Sequence, residues 1–310
     1  MAKKKLVKRE LILAKVETTY GQDANPTGAD NAILVESLGW SFAGARMVER
    51  NPTTPILGKL QGLFAGTLME VTFDVEIKGS GTAGTPPEMA PLLRACGMAE
   101  TITPNTSVDY KPASEGHESI TIYYYEDGSL FKLTGGRGTM SFNLTTGEVG
   151  KISFTLTGHI TKPTDATLPI ATYSDIVPPP AINMPFKVGG YAAVISALTL
   201  DIGNSIATPP DISAENGYSE VLITDRDVSG SFDPEATLVG TKDWVGDWQE
   251  GNTQAVNTGT VGSLAGNQYS LSIPQAWHKE ISPGDRDGLR TYDIGFGAAG
   301  GDDALTLTFT

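Results

Sequence analysis

Apolar and polar residues alternate along much of this chain. Val71, Phe73, Val75 and Ile77 alternate with Thr72, Asp74, Glu76 and Lys78. That period of two predicts a strand with one buried face and one wet face. The same pattern runs through Met140–Leu144, Ile152–Thr157, Leu198–Ile202, Tyr269–Ile273 and Leu305–Phe309. Ile120–Tyr125 and Ser129–Leu133 flank Glu126-Asp127-Gly128, which predicts a hairpin on an Asp-Gly turn. A second turn is expected at Thr145–Glu148. Strands buried on both faces of a parallel sheet read as unbroken apolar runs, so clean alternation points to antiparallel sheets. The expected fold class is mainly β.

Helix signals are few. Pro87–Cys96 ends at Gly97, a natural helix-stop residue, and Glu88 makes its first turn acidic. Pro91 lies early enough to be tolerated. Thr241–Glu250 predicts a second short helix, with Trp244 and Trp248 one turn apart. Thr172–Pro180 ends in three prolines, which favour an extended linker and break a ladder. Each half then repeats one order: strand, long insertion, strand, Gly-rich turn, helix, strand cluster. Val71–Lys78, Gly79–Gly81 and Pro87–Cys96 correspond to Val221–Val228, Ser229–Ser231 and Thr241–Glu250. The expectation is two tandem antiparallel sandwich- or barrel-like units, 32–175 and 176–310, each with a short flanking helix. Residues 1–31, rich in turn formers, read as an arm: a frayed terminus, or a segment ordered against a neighbouring subunit.

Composition narrows the function classes. A length of 310 residues suits about two domains. Lys+Arg is 22 against Asp+Glu 36, a formal charge of −14. A chain this acidic does not bind nucleic acid by neutralising phosphates. Gly 36 and Pro 19 favour many short strands over long helices. Cys96 is the one cysteine, which excludes an internal disulfide framework and a cysteine-based zinc site. No run reaches about 18 apolar residues, so no spanning helix is expected. The apolar stretch Leu11–Ala14 is too short for a signal-peptide core, so synthesis and retention in a reducing cytoplasm are expected.

Candidate chemistry is thin. Gly79–Gly84 fits G-x-G-x-x-G, but the strand before it alternates and Thr85-Pro86-Pro87 separates it from the helix. A helix N-terminus therefore cannot sit under a pyrophosphate, and a turn is the better reading. Asp225–Asp227 and Gly284–Gly288 pair acids around an arginine; turn and surface roles fit better than a calcium loop. Gly135-Gly136-Arg137-Gly138 reads as a bent hairpin loop. His117, His159 and His278 lie far apart, and Cys96 reads as a buried small side chain. No catalytic set, cofactor site or metal site is expected.

One insertion stands out. Residues 43–66 mix charges with Ile56, Leu57, Leu60, Leu63 and Phe64 between two strands. A long ordered loop usually has a role, and these side chains are too apolar to stand in water. They fold back on their own core or cover a neighbour.

At this point the chain resembles the tail tube (major tail) protein family of tailed bacteriophages. Glu17–Gly21 with Ala24–Gly28 is similar to that family's arm. The Gly79–Gly81 turn with Leu92–Gly97 is similar to its central strand–turn–helix. Asp201–Asn204, Val221–Arg226, Gly284–Gly288 and Asp302–Phe309 are similar to its later strands. The resemblance implies a structural virion protein, made in the host cytoplasm, whose rings stack into a hollow tail tube that conducts double-stranded DNA. It implies self-association, with tape-measure and tail-terminator proteins as partners and no specific DNA binding. Members with one fold form hexameric rings; members carrying it twice form trimeric rings with pseudo-six-fold symmetry, which the duplication favours here. The resemblance further implies an inter-ring loop at 43–66, with Arg46, Met47, Glu49, Arg50, Ile56, Leu57, Leu60 and Phe64 as candidates, and an N-terminal arm, with Lys3, Lys4, Lys5, Lys8 and Arg9 as candidates. Wet residues of inner strands, Asp74, Glu76 and Asp201, are candidates for lining the lumen.

A competing reading is a carbohydrate-binding or host-adhesin module. It needs Tyr123, Tyr124, Tyr125, Trp244, Trp248 and Trp277 to form a sugar-stacking platform. A nucleotide-using enzyme built on Gly79–Gly84 is a third.

Overall fold

The alternating segments become strands. A computed structural model describes residues 4–310. Its main strands are β1 (Glu10–Val16), β2 (Glu36–Ala43), β3 (Leu68–Glu76), β4 (Met98–Thr103), β5 (Ser107–Pro112), β6 (Ile120–Glu126), β7 (Ser129–Thr145), β8 (Lys151–Ile160), β9 (Ala197–Asp201), β10 (Ser229–Phe232), β11 (Thr253–Asn257), β12 (Tyr269–Arg286), β13 (Leu289–Ala298) and β14 (Thr306–Phe309). Two short helices, α1 (Ala90–Ala95) and α2 (Trp244–Glu250), accompany them. The protein is mainly β, as the alternation predicts, and the pairings among these strands are antiparallel.

The principal sheet has the order β2-β3-β8-β7, then β9-β10-β13-β12. The seam between the two sets runs from Ser141 opposite Asp201 to Thr145 opposite Ala197. Each set of four has the same connectivity: a strand, its neighbour, then the second strand of a later hairpin, then the first.

The first strand of each of those hairpins is long. β7 has 17 residues and β12 has 18. Both leave the principal sheet and enter a second layer. The first half of β7 pairs with β6, and β6 with β1. The first half of β12 pairs with β11 and β14, and β14 with β5. Register shifts mark the crossing points, between Thr134 and Arg137 in β7 and between His278 and Glu280 in β12. A bulge bends a strand, which is how one strand serves two sheets. Gly135–Gly138 is therefore not the hairpin loop expected but the bulge in mid-strand. Glycine is needed there because a Cβ on Gly138 would lie 1.9 Å from the Thr155 carbonyl oxygen.

The inward faces build one core. Val71, Phe73 and Val75 meet Ile152, Phe154 and Leu156 from β8 and Phe142 and Leu144 from β7. Leu198, Leu200, Phe232, Ile294 and Phe296 continue it, and Leu92, Leu93 and Trp244 close it from the helices. The core is continuous past Pro178–Pro180, because β7·β9 and β14·β5 pair residues from either side of the prolines.

Local signals behaved unevenly. Asp127 (φ 32°) and Gly128 (φ 108°) make the two-residue turn expected between β6 and β7. α2 is capped by Asp243, whose carboxylate accepts from Gly246 N–H at 2.8 Å, and ends at Gly251 (φ 67°). α1 is shorter than Pro87–Cys96. Glu88 precedes it and pairs with buried Lys78 at 3.1 Å, so the first turn carries no acid. Ser229–Ser231 lies in β10, not in a Gly-rich turn, because its backbone is taken by β9 and β13. Within the stretch read as an arm, Glu10–Val16 is β1, with Leu11, Ile12, Leu13 and Ala14 buried.

Phe154 is fully buried and its ring lies 5.8 Å from that of Phe73. Phe154→Ala should cost about 3–5 kcal/mol, lowering the urea midpoint without changing the fold. A loss under about 1 kcal/mol would contradict its place in the core.

Candidate assembly surfaces

The principal sheet turns its other face outward, and that face is polar. On β3, Thr72, Asp74 and Glu76 point away from the core because Val71, Phe73 and Val75 point into it. Pairing aligns them with neighbours. Asp74 lies opposite Ser153, Ser153 opposite Ser141, and Ser141 opposite Asp201, a single row across β3, β8, β7 and β9. Ser153 donates to Asp74 at 2.5 Å. The adjoining row runs Glu76, Lys151, Asn143, Thr199, Ser231, Gly295, Glu280. The structure thus brings Asp74, Glu76 and Asp201, three residues far apart in sequence, onto one surface. Glu36, Glu70, Glu280 and Asp293 share it. Lys151 lies among them, 2.6 Å from Glu36. The hydrogen bond and charge of Glu36, with Asp74 and Glu76 beside it, hold that ammonium above its ordinary pKa.

The two outer strands of the sheet keep one bare edge each. β2 pairs with β3 alone among the described residues. The stretch His278–Arg286 of β12 pairs with β13 alone. Inside the chain the corresponding edge of β7 is covered by β9. Unpaired edges are sites for adding another strand.

A third surface projects from the end of β2. Its root is rigid. Met47 and Val48 pair with Phe64 and Leu63. The Arg46 guanidinium lies 3.9 Å from the centre of the Tyr218 ring and donates to Gly217 O at 3.2 Å. The Tyr218 hydroxyl donates to Gly44 O. Arg46 therefore anchors the loop to its own chain. Beyond Val48 the loop stands free: Ile56 is 78% exposed and Leu57 102%. Met47 and Leu60 are exposed as well, and Glu49 is paired with Lys59 inside the loop at 3.2 Å. Of the two fates open to these apolar residues, folding back on their own core does not occur.

The basic head divides. Lys3 lies outside the described residues. Lys4 and Lys8 are exposed. Lys5 pairs with Glu126 at 2.9 Å and Arg9 with Asp127 at 3.2 Å, both on the β6–β7 turn of the same chain.

The two competing readings find no support in the described residues. Tyr123, Tyr124 and Tyr125 are buried and so is Trp244, leaving Trp248 and Trp277 of that set half-exposed, so these six do not form a sugar-stacking platform among the described residues. The Gly79–Gly84 loop is filled by its own chain. Gly81 N–H donates to Gly266 O at 2.8 Å, and a Cβ on Gly79 would lie 2.1 Å from that oxygen, so no phosphate fits.

Sequence reasoning missed a buried junction. Arg137 donates to Glu220 at 2.7 Å, Val221 O at 2.8 Å and His117 O at 2.6 Å, and lies over the Tyr20 ring. The Tyr20 hydroxyl accepts from Val221 N–H at 2.6 Å, and burial pushes its pKa up to about 12. The lone arginine among glycines was its signal, since a guanidinium in mid-strand needs acceptors.

A family profile described as phage tail tube protein matches residues 8–310, nearly the whole chain. No curated protein matches it.

Asp233 ties the start of β9 to the end of β12. It accepts from Ser196 and Ala197 N–H at 2.8 and 2.9 Å and from Arg286 at 2.8 Å. Burial alone would raise its pKa; the Ser196 hydroxyl, which also donates to it, the two backbone donors and Arg286 outweigh burial and hold it below the ordinary 3.8. Its stabilising effect is complete above pH 3.8 and is lost as the pH falls through the lowered folded-state value. Asp233→Asn should be less stable than wild type at neutral pH and converge on it in acid. Urea unfolding at stepped pH reads this; parallel curves would contradict it.

Proposed function

The chain belongs to the phage tail tube protein family, as a structural component of the virion tail, and from that premise we propose that three copies close into one ring. Each copy supplies two tube-fold units, residues 32–175 and 176–310, giving six-fold pseudo-symmetry. The observation that carries this reading is the strand order, β2-β3-β8-β7 followed by β9-β10-β13-β12. The seam β7·β9 serves as the pattern for the joint between copies. The bare edge of His278–Arg286 on one copy pairs with the bare edge of Glu36–Ala43 on the next. Closing the ring removes every edge, which protects an antiparallel sheet from random aggregation.

The polar face then lines the lumen, with Asp74, Glu76 and Asp201 among its residues. A negative wall repels phosphates, so DNA slides instead of binding. The same channel first houses a tape-measure protein, and a terminator caps its end. The loop beyond Val48, with Arg50, Ile56, Leu57 and Leu60, spans to the neighbouring ring, and Lys4 and Lys8 pair with that ring's acidic surface. Exposed ion pairs contribute about 0–1 kcal/mol each, so the head sets register more than affinity.

Negative-stain microscopy of the concentrated protein at modest salt should show rings or tubes with three subunits per ring. Six subunits per ring would overturn the trimeric arrangement. Tube yield should fall as salt rises and as residues 3–9 are deleted; indifference to both would remove the head from the contact. Glu76→Lys with Asp201→Lys should make assembled tubes retain double-stranded DNA at low salt, where wild-type tubes release it. Equal retention would place that face elsewhere.

A further inference from the structure

The loop and an apolar groove lie at opposite ends of the principal sheet. The loop leaves at the end defined by Ala43 and Leu68, which pair with each other. The other end is defined by Glu76 opposite Lys151 and by Thr145 opposite Ala197. There Val149 bridges Pro180, Gly147 N–H donates to Ala181 O, and Asn267 donates to Val177 O. These contacts hold Val177–Ile182 against the Gly262–Asn267 turn and leave a groove of about 430 Å³ between them. Val177, Pro179, Pro180, Ile182 and Leu264 line it, and its lining carries no charged side chain. Val177 is 77% exposed and Leu264 68%, so the groove presents apolar side chains to solvent.

We infer that this groove receives the tip Pro55-Ile56-Leu57 of a second copy of the chain in the adjoining ring. The inference rests on the tube reading, because a sheet closed edge to edge runs its strands broadly along the tube axis, tilted by about 35–45°. The two strand ends then face the two neighbouring rings. A contact from one end of a molecule to the opposite end of its neighbour is heterologous and propagates as a filament. The cavity of about 840 Å³ between Phe42, Phe64 and Tyr218 lies at the loop's own end and faces the wrong neighbour. The charges at the contact are complementary. Arg50, at the start of the free part of the loop, is exposed and has no ion pair among the described residues. Asp175 and Glu148 flank the groove, are exposed, and likewise have none. Two apolar side chains leaving water for an uncharged groove supply the affinity, and the flanking charges supply orientation.

The test uses Leu57→Cys, Leu264→Cys and the double variant in the full chain. Both sites are exposed, so folding is unaffected, and the native Cys96 is buried and silent toward a short bismaleimide. In assembled tubes the double variant should form a ladder of cross-linked chains, and each single variant should not. Leu57→Asp should raise the concentration needed for tubes by about tenfold or more. Wild-type tubes with no ladder in the double variant would overturn the groove as the tip's seat and leave the tube reading standing. A wild-type chain monomeric by both microscopy and sedimentation would overturn the tube reading, and this contact with it.

Discussion

The hydrogen-bonded seam between β7 and β9 is the contact on which the remaining structure depends. It runs from Ser141 opposite Asp201 to Thr145 opposite Ala197. β7 has neighbours on both sides there, so its register sets β8, β3 and β2 on one flank and β9, β10, β13 and β12 on the other. A slip of one residue would turn Phe142 and Leu144 out of the core and bring Ser141 and Asn143 into it. Buried Asn204 reinforces the seam. Its side-chain amide donates to Cys96 O at 2.7 Å and to Gly138 O at 2.9 Å, tying the end of α1 and the bulge of β7 to the turn after β9.

The seam also explains why one face of the sheet tolerates so many carboxylates. Every inward position is spent on a shared apolar core, so charge accumulates outside, at Glu36, Asp74, Glu76, Asp201, Glu280 and Asp293. In a lone molecule these groups are hydrated and repel weakly.

Rigidity is distributed to match. The loop root is clamped by Arg46, Tyr218 and Gly217, whereas the tip has few bonds of its own, Thr54 to Ile56 O and Lys59 to Glu49. Across the body, Arg137 and Tyr20 join the N-terminal stretch, β7 and Val221 in one buried network. The loop root and the body are therefore tied by many contacts, and the tip by few.

Much of this was legible in the residues themselves. Period-two alternation located β3, β8, β9 and β14, Asp127-Gly128 the tight turn, and Thr241–Glu250 a short helix. These are local consequences of side-chain direction and backbone preference, which a short stretch specifies alone. Long-range pairing was not legible. Nothing near Gly135-Gly-Arg-Gly says that the chain continues as a strand, because the bulge exists only where β6, β8 and the Val221 carbonyl converge. Ser229–Ser231 has a turn's composition and becomes a strand because β9 and β13 claim its backbone. The platform that a competing reading made of Tyr123–Tyr125 and Trp244 is lost because packing buries them. Which wet residues share a face, and which edges stay bare, are properties of partners distant in sequence, so tertiary structure alone decided them.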